Sequence, residues 1–142
     1  MLKKFFKKDK KENSEDKKIL ITALLIHAAK IDENYTNIEK EIIKKATMDL
    51  NKIPLVEAEK IFEKAEKKES ESSQIVEFTK EIKNYSMEFR FKIIEILWQI
   101  IYSDKHSDNY ESNLIRRICG LLYVSDKDSG AIKLKVEKLV RQ

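Results

Sequence analysis

The sequence repeats itself. Shifted by 72 residues, its second half lies on its first without gaps. Leu25 falls on Leu97, Asp32 on Asp104 and Glu39 on Glu111. Ile42 and Ile43 fall on Leu114 and Ile115, and Lys44 and Lys45 on Arg116 and Arg117. Such self-similarity restricts topology more than composition does, because each half must be the same supersecondary unit. Here the unit is a buried helix ending at an Asp, a short loop, and an amphipathic helix that opens with a Glu.

The residues between these landmarks are helix formers. The chain has two glycines and one proline. Tight turns draw on those residues, so a sandwich, a barrel or a Rossmann domain is not expected. Charged residues make up 38% of the chain, against about 25% in an average globular protein, which suits helices with wide solvated faces. Apolar periodicity predicts helices over about 16–31, 37–50, from Pro54 to about 66, 73–84, 87–103, 109–122 and 126–140. Pro54 suits a first helical turn, and the polar run 67–73 reads as a break. Inward positions are expected at Ile38, Ile42, Ile43 and Ala46, then Leu55, Ala58, Ile61, Phe62 and Ala65. Ile75, Phe78, Thr79 and Ile82 follow, then Leu114, Ile115, Ile118 and Leu122, and last Ile132, Val136 and Leu139. The fold class is therefore all-α, a bundle of about seven helices made of two related helix–loop–helix halves. A length of 142 residues suits one such domain, 16–142, preceded by a basic, flexible tail over 1–15.

The charge is uneven. Residues 1–18 hold eight lysines and four acids, so the net +4 of the chain resides there and the remainder is neutral. A nucleic-acid-binding domain carries its basic face on the folded part, so no nucleic-acid partner is expected. Lys3, Lys4, Lys7 and Lys8 surround Leu2, Phe5 and Phe6, a mixture suited to weak contact of residues 1–8 with an anionic membrane surface. The longest apolar stretch, Ile19 to Ala29, falls short of the roughly 20 residues of a membrane span. The opening MLKKFFKK runs into DKKENSEDKK and not into an apolar core, so a secretory signal is not expected. The lone Cys119, beside Ile118, Leu121 and Leu122, reads as a small buried hydrophobe in a reducing compartment. A cytoplasmic location follows, with peripheral contact at the inner membrane as the variant.

Chemistry has one natural place, the two repeated junctions. Asp32, Asn34, Thr36 and Glu39 form one set of donors, and Asp104, His106, Asp108 and Glu111 the other. Their first three positions carry the 1, 3, 5 spacing of an EF-hand loop, but position 6 is Asn37 or Asn109 and position 12 is Ile43 or Ile115. An EF-hand is excluded. Carboxylates without thiolates favour hard cations, so Asp32, Glu39, Asp104 and Glu111 are the candidate ligands of a weak calcium or magnesium site, with Asp108 and His106 in reach. The same residues also have structural work. Thr36-x-x-Glu39 is a capping box and Asp108-x-x-Glu111 its near equivalent. His27 reads as a helix-face residue that reaches a polar partner. No catalytic set is expected, since glycines for a phosphate loop and an oxyanion hole are both lacking.

The stretch ALLIHAAKIDENYTNIEKEIIKKA, its echo LWQIIYSDKHSDNYESNLIRRI, and the following LLYVSDKDSGAIKLKV together resemble the TerB family of tellurite-resistance proteins. The resemblance spans about 17–138. It implies an all-helical fold of about seven helices, acidic residues gathered at the inter-helix loops, a link to tellurite and membrane stress, and metal-ion chemistry. The N-terminal domain of DnaJ-like membrane co-chaperones belongs to the same superfamily. Where the family commonly has Gly after the loop Asp, this chain has Glu33 and Lys105. The expected function is a non-enzymatic stress-response and interaction module that engages a protein partner or a divalent cation at its acidic junctions. The alternative is a peripheral membrane adaptor docked by its N-terminal segment.

Overall fold

The computed structural model describes residues 2–31, 34–72, 74–103 and 109–140, with side chains from residue 15 onward except at 109–112. Among the described residues seven α-helices follow one another: α1 (Leu2–Ala29), α2 (Asn37–Asn51), α3 (Leu55–Glu71), α4 (Ile75–Thr79), α5 (Met87–Ser103), α6 (Asn109–Leu121) and α7 (Asp126–Val140). A single 3-10 turn, Ile82–Asn84, joins α4 to α5. There is no strand among the described residues.

The two central helices are the repeated ones. Ile21, Leu24, Leu25, Ile26 and Ala29 of α1 are at most 3% exposed. Their equivalents at the 72-residue shift, Ile93, Ile96, Leu97, Trp98 and Ile101 of α5, are buried as well. The duplication thus reaches the packing. Around this pair, α3 lies along α1, α7 along α5, and α2 bridges to α5. The stripe Ala58, Ile61, Phe62, Ala65 of α3 is buried, as are Ile75, Phe78, Thr79 and Ile82. Buried hydroxyls tie the layers at chosen points. Thr22 of α1 meets Thr47 of α2 at 3.2 Å, and the Trp98 indole donates to Ser129 of α7 at 3.3 Å. Arg90 of α5 donates to the Leu122 carbonyl at 2.8 Å, where α6 has run out of its own donors.

Helix ends follow local chemistry. Ser86 accepts from the Phe89 amide at 3.2 Å and Ser125 from the Asp128 amide at 3.1 Å, capping α5 and α7. α2 and α6 close alike: Ile53 donates to the Met48 carbonyl at 3.1 Å and Val124 to that of Cys119 at 2.9 Å, the six-to-one bond of a Schellman end. Left-handed residues mark both ends, Lys52 at φ 52° and Tyr123 at φ 57°. The matching bonds are one residue closer than the 72-residue shift, and α6 ends two residues before the position equivalent to the end of α2.

Four differences from expectation have physical causes. Helical backbone begins at Leu2 and not at residue 16, because Lys, Glu and Leu are good helix formers and neither Gly nor Pro interrupts them. α3 continues through the polar run to Glu71, and Pro54 sits at its N-cap with φ −73°. The expected helix over 73–84 is α4, a turn and the 3-10 segment; Thr79 turns its hydroxyl back onto the Val76 carbonyl at 3.2 Å in a run rich in β-branched residues, which weakens helix continuation. Ile38, Leu55 and Leu139, expected inward, are 62%, 47% and 58% exposed. Each lies in the first or last turn of its helix.

Candidate functional site: the first junction and its polar cluster

α1 winds off through the Lys30 amide bonded to the Ile26 carbonyl at 3.0 Å. α2 then starts on a complete capping box. Thr36 has extended backbone, its hydroxyl accepts from the Glu39 amide at 3.1 Å, and Glu39 Oε1 accepts from the Thr36 amide at 2.9 Å and its hydroxyl at 3.0 Å. Glu39 is 2% exposed. Of the four expected ligands it is the one whose side chain is described, and its Oε1 already serves the helix end. Such caps contribute roughly 0.5–2 kcal/mol.

Behind the capping box lies a set of residues that sequence reasoning largely missed. Glu69 projects from α3 with its carboxylate nearly buried; it accepts from Lys30 Nζ at 2.7 Å and lies 3.3 Å from His27 Nδ1. The Tyr35 hydroxyl donates to Glu66 Oε2 at 3.3 Å. Lys40 and Lys30 stand 4.8 and 5.6 Å from the Tyr35 ring centre, in reach of its π face. Burial first, and then the charges of Glu66, Glu69 and Glu39, push the Tyr35 phenol well above its ordinary range. Three carboxylates on two helices thus surround one phenol, Lys30 pairs with one of them, and Lys30 and Lys40 both stand over the ring. His27 bears out the expectation of a helix-face histidine with a polar partner. The signal for Glu69 was present: positions 58, 62, 65 and 69 form one helical stripe, and a Glu on that stripe faces inward. Treating 67–73 as a break removed it from the helix.

The remaining expected ligands, Asp32, Asp104, Asp108 and His106, lie outside the described residues, as does the side chain of Glu111. Their flanks are described. Tyr102 and Ser103, at the end of α5, line a groove of about 680 Å³ together with Ile42, Lys45 and Ala46 of α2. Asn37 and Ile38, at the start of α2, line a shallower hollow of about 370 Å³ that shares Ile42 and Lys45 with it. The residues flanking both junctions therefore open onto one continuous surface. Among the described residues no three His, Cys, Asp or Glu side chains gather as a metal site. Cys119 is buried as expected, and burial pushes its thiol up.

Residues 18–134 match the family model described as tellurite resistance protein TerB. The chain belongs to the TerB family. Neither the curated proteins nor the solved structures searched contain a match to it. The TerB match covers both halves of the repeat, from within α1 to within α7, and accounts for the helical architecture. No described helix is long and apolar enough to cross a membrane.

Proposed function

We propose that this TerB-family chain is a non-enzymatic stress-response module that holds a protein partner on the surface onto which its two acidic junctions open. One observation carries this reading: the flanks of the two repeated junctions line adjoining hollows that meet at Ile42 and Lys45. The described acids support a binding platform better than a reaction centre. Glu39 is engaged in a cap, Glu69 by Lys30 and His27, and Glu66 by Tyr35, so the described acids beside the first junction are held by neighbouring side chains. Rigid presentation of loops is how small scaffolds bind. A weak calcium or magnesium ion at Asp32, Asp104 and Glu111 belongs to the same reading as an aid to loop order. The test is site-specific photo-crosslinking from positions 33 and 105 in producing cells. A discrete adduct from both positions, abolished by Asp32→Lys with Asp104→Lys, is expected; absence of any adduct from either position contradicts the reading.

A second reading has its own observation. Helical backbone from Leu2 gives Leu2, Phe5 and Phe6 the i, i+3, i+4 period of an amphipathic helix, with lysines between them. That favours contact with an anionic leaflet. Co-sedimentation with phosphatidylserine vesicles should fall on deletion of residues 1–15, and equal binding by both chains contradicts the membrane reading.

A further inference from the structure

The repeat extends to the surfaces that each half presents, and there the halves part. In the first half, the side of α1 bearing Leu20 and His27 is covered by α4. Phe78 lies 6.1 Å from the His27 ring, and Leu20 shares a hollow with Glu77 and Lys80. Ile75, Phe78, Thr79 and Ile82 are at most 2% exposed there, and α4 also packs on α6. A shift of 72 carries Leu20 to Lys92 and His27 to Gln99. Both equivalents line the groove of about 680 Å³ between α5 and α2. Among the described residues no helix fills that groove; α7 reaches it with Val140 alone. Among the described residues, one copy of this surface is therefore occupied by its own short helix and the other is open.

We infer that the open groove takes an amphipathic helix of a partner protein built like α4, with an apolar stripe containing an aromatic residue and an acidic residue on its flank. This rests on the reading of the chain as an interaction module and names the kind of partner. The floor suits the stripe: Ile42, Ala46, Leu50 and Ile96 are apolar, and the volume lies within the range of clefts that hold other molecules. The rim supplies the charge. On α4, Glu77 is met by Lys68 at 3.7 Å. Around the open groove, Glu95 is already held by Lys135 at 3.5 Å, while Lys45 and Lys92 are exposed and pair with no described residue. Asp49 offsets one of them, leaving the rim net positive. Helix-in-groove recognition uses this combination of spaced apolar anchors and flanking charges.

The experiment uses the full chain and a fluorescein-labelled, lactam-stapled peptide of residues 74–85, stapled so that ordering a short helix does not mask the contact. Saturable binding is expected, with amide shift changes confined to α2, α5 and the end of α7. Lys45→Glu with Lys92→Glu, both exposed and so harmless to the fold by circular dichroism, should weaken it on the order of tenfold. Changing Glu77→Lys in the peptide should weaken it as well. The inference is overturned by absence of saturable binding, by shifts that map elsewhere, or by affinity unchanged in the double variant. Concentration-dependent dimerisation that those two changes abolish would also overturn it, since a second copy would then be the occupant. Failure here leaves the crosslinks at positions 33 and 105 untouched, so the two readings fail separately.

Discussion

Glu69 is the residue whose removal tells most about the first junction. Glu69→Gln keeps the volume and removes the charge. It removes the charge behind the bond from Lys30 at 2.7 Å and the contact with His27 at 3.3 Å. A hydrogen bond to a charged group contributes about 1.5–3 kcal/mol net. The Lys30 side chain is 37% exposed and can return its ammonium to water, so the loss falls toward the lower end, at about 1.5 kcal/mol. For a chain of this length that is roughly a 5 °C fall in Tm. Urea unfolding followed by circular dichroism at pH 7 measures it: the midpoint should drop with an unchanged m value. A double-mutant cycle with Lys30→Met isolates the pair and should return a coupling of about 1 kcal/mol. Stability of Glu69→Gln within about 0.5 kcal/mol of the parent, the usual range for surface changes, together with a coupling near zero, would refute the view that this cluster anchors α1 to α3.

Other expectations follow from single contacts. Thr36→Ala removes the cap on the Glu39 amide and should cost about 1 kcal/mol in the same urea assay, with no change if the capping box contributes nothing. Lys52→Gly relieves a left-handed, exposed residue at φ 52° and should raise stability by roughly 0.5–1 kcal/mol, after the added freedom of glycine in the unfolded chain is subtracted. Burial raises both the Cys119 thiol and the Tyr35 phenol above their ordinary values of 9.0 and 10.0. Both groups keep their protons in the fold after the unfolded chain has lost them. The stability they contribute is thus fully present below pH 9 and lost as pH rises beyond it. Tyr35→Phe should flatten the fall in urea midpoint between pH 8 and 10.5, and Cys119 should react with a thiol reagent at the rate of unfolding and not of a free thiol.

The parts of the fold legible in the sequence are those where one face alternates at the helical period over several turns. α2, α5, α6 and α7 end within a residue or two of the expected places, and their caps at Thr36, Ser86 and Ser125 use the residues that capping chemistry selects. Periodicity names a face but not its neighbour. Ile38, Leu55 and Leu139 follow the helical period and still meet solvent, since each sits in a terminal turn. The same limit hid the polar cluster. Glu69 looks like part of a charged run in one dimension, and only the approach of α1 shows that it holds Lys30 and His27. The groove was equally illegible. The repeat reveals that α5 copies α1, but not that α4 covers one copy alone.

The proposed binding surface requires the two junctions to share one face of the molecule. Double electron–electron resonance between spin labels at positions 33 and 105, introduced as Glu33→Cys and Lys105→Cys with the buried Cys119 left unlabelled, measures that directly. A chain of this length forms a body roughly 37 Å across. The shared surface predicts a separation of no more than about half of that diameter; a distance distribution centred near the full diameter would contradict it.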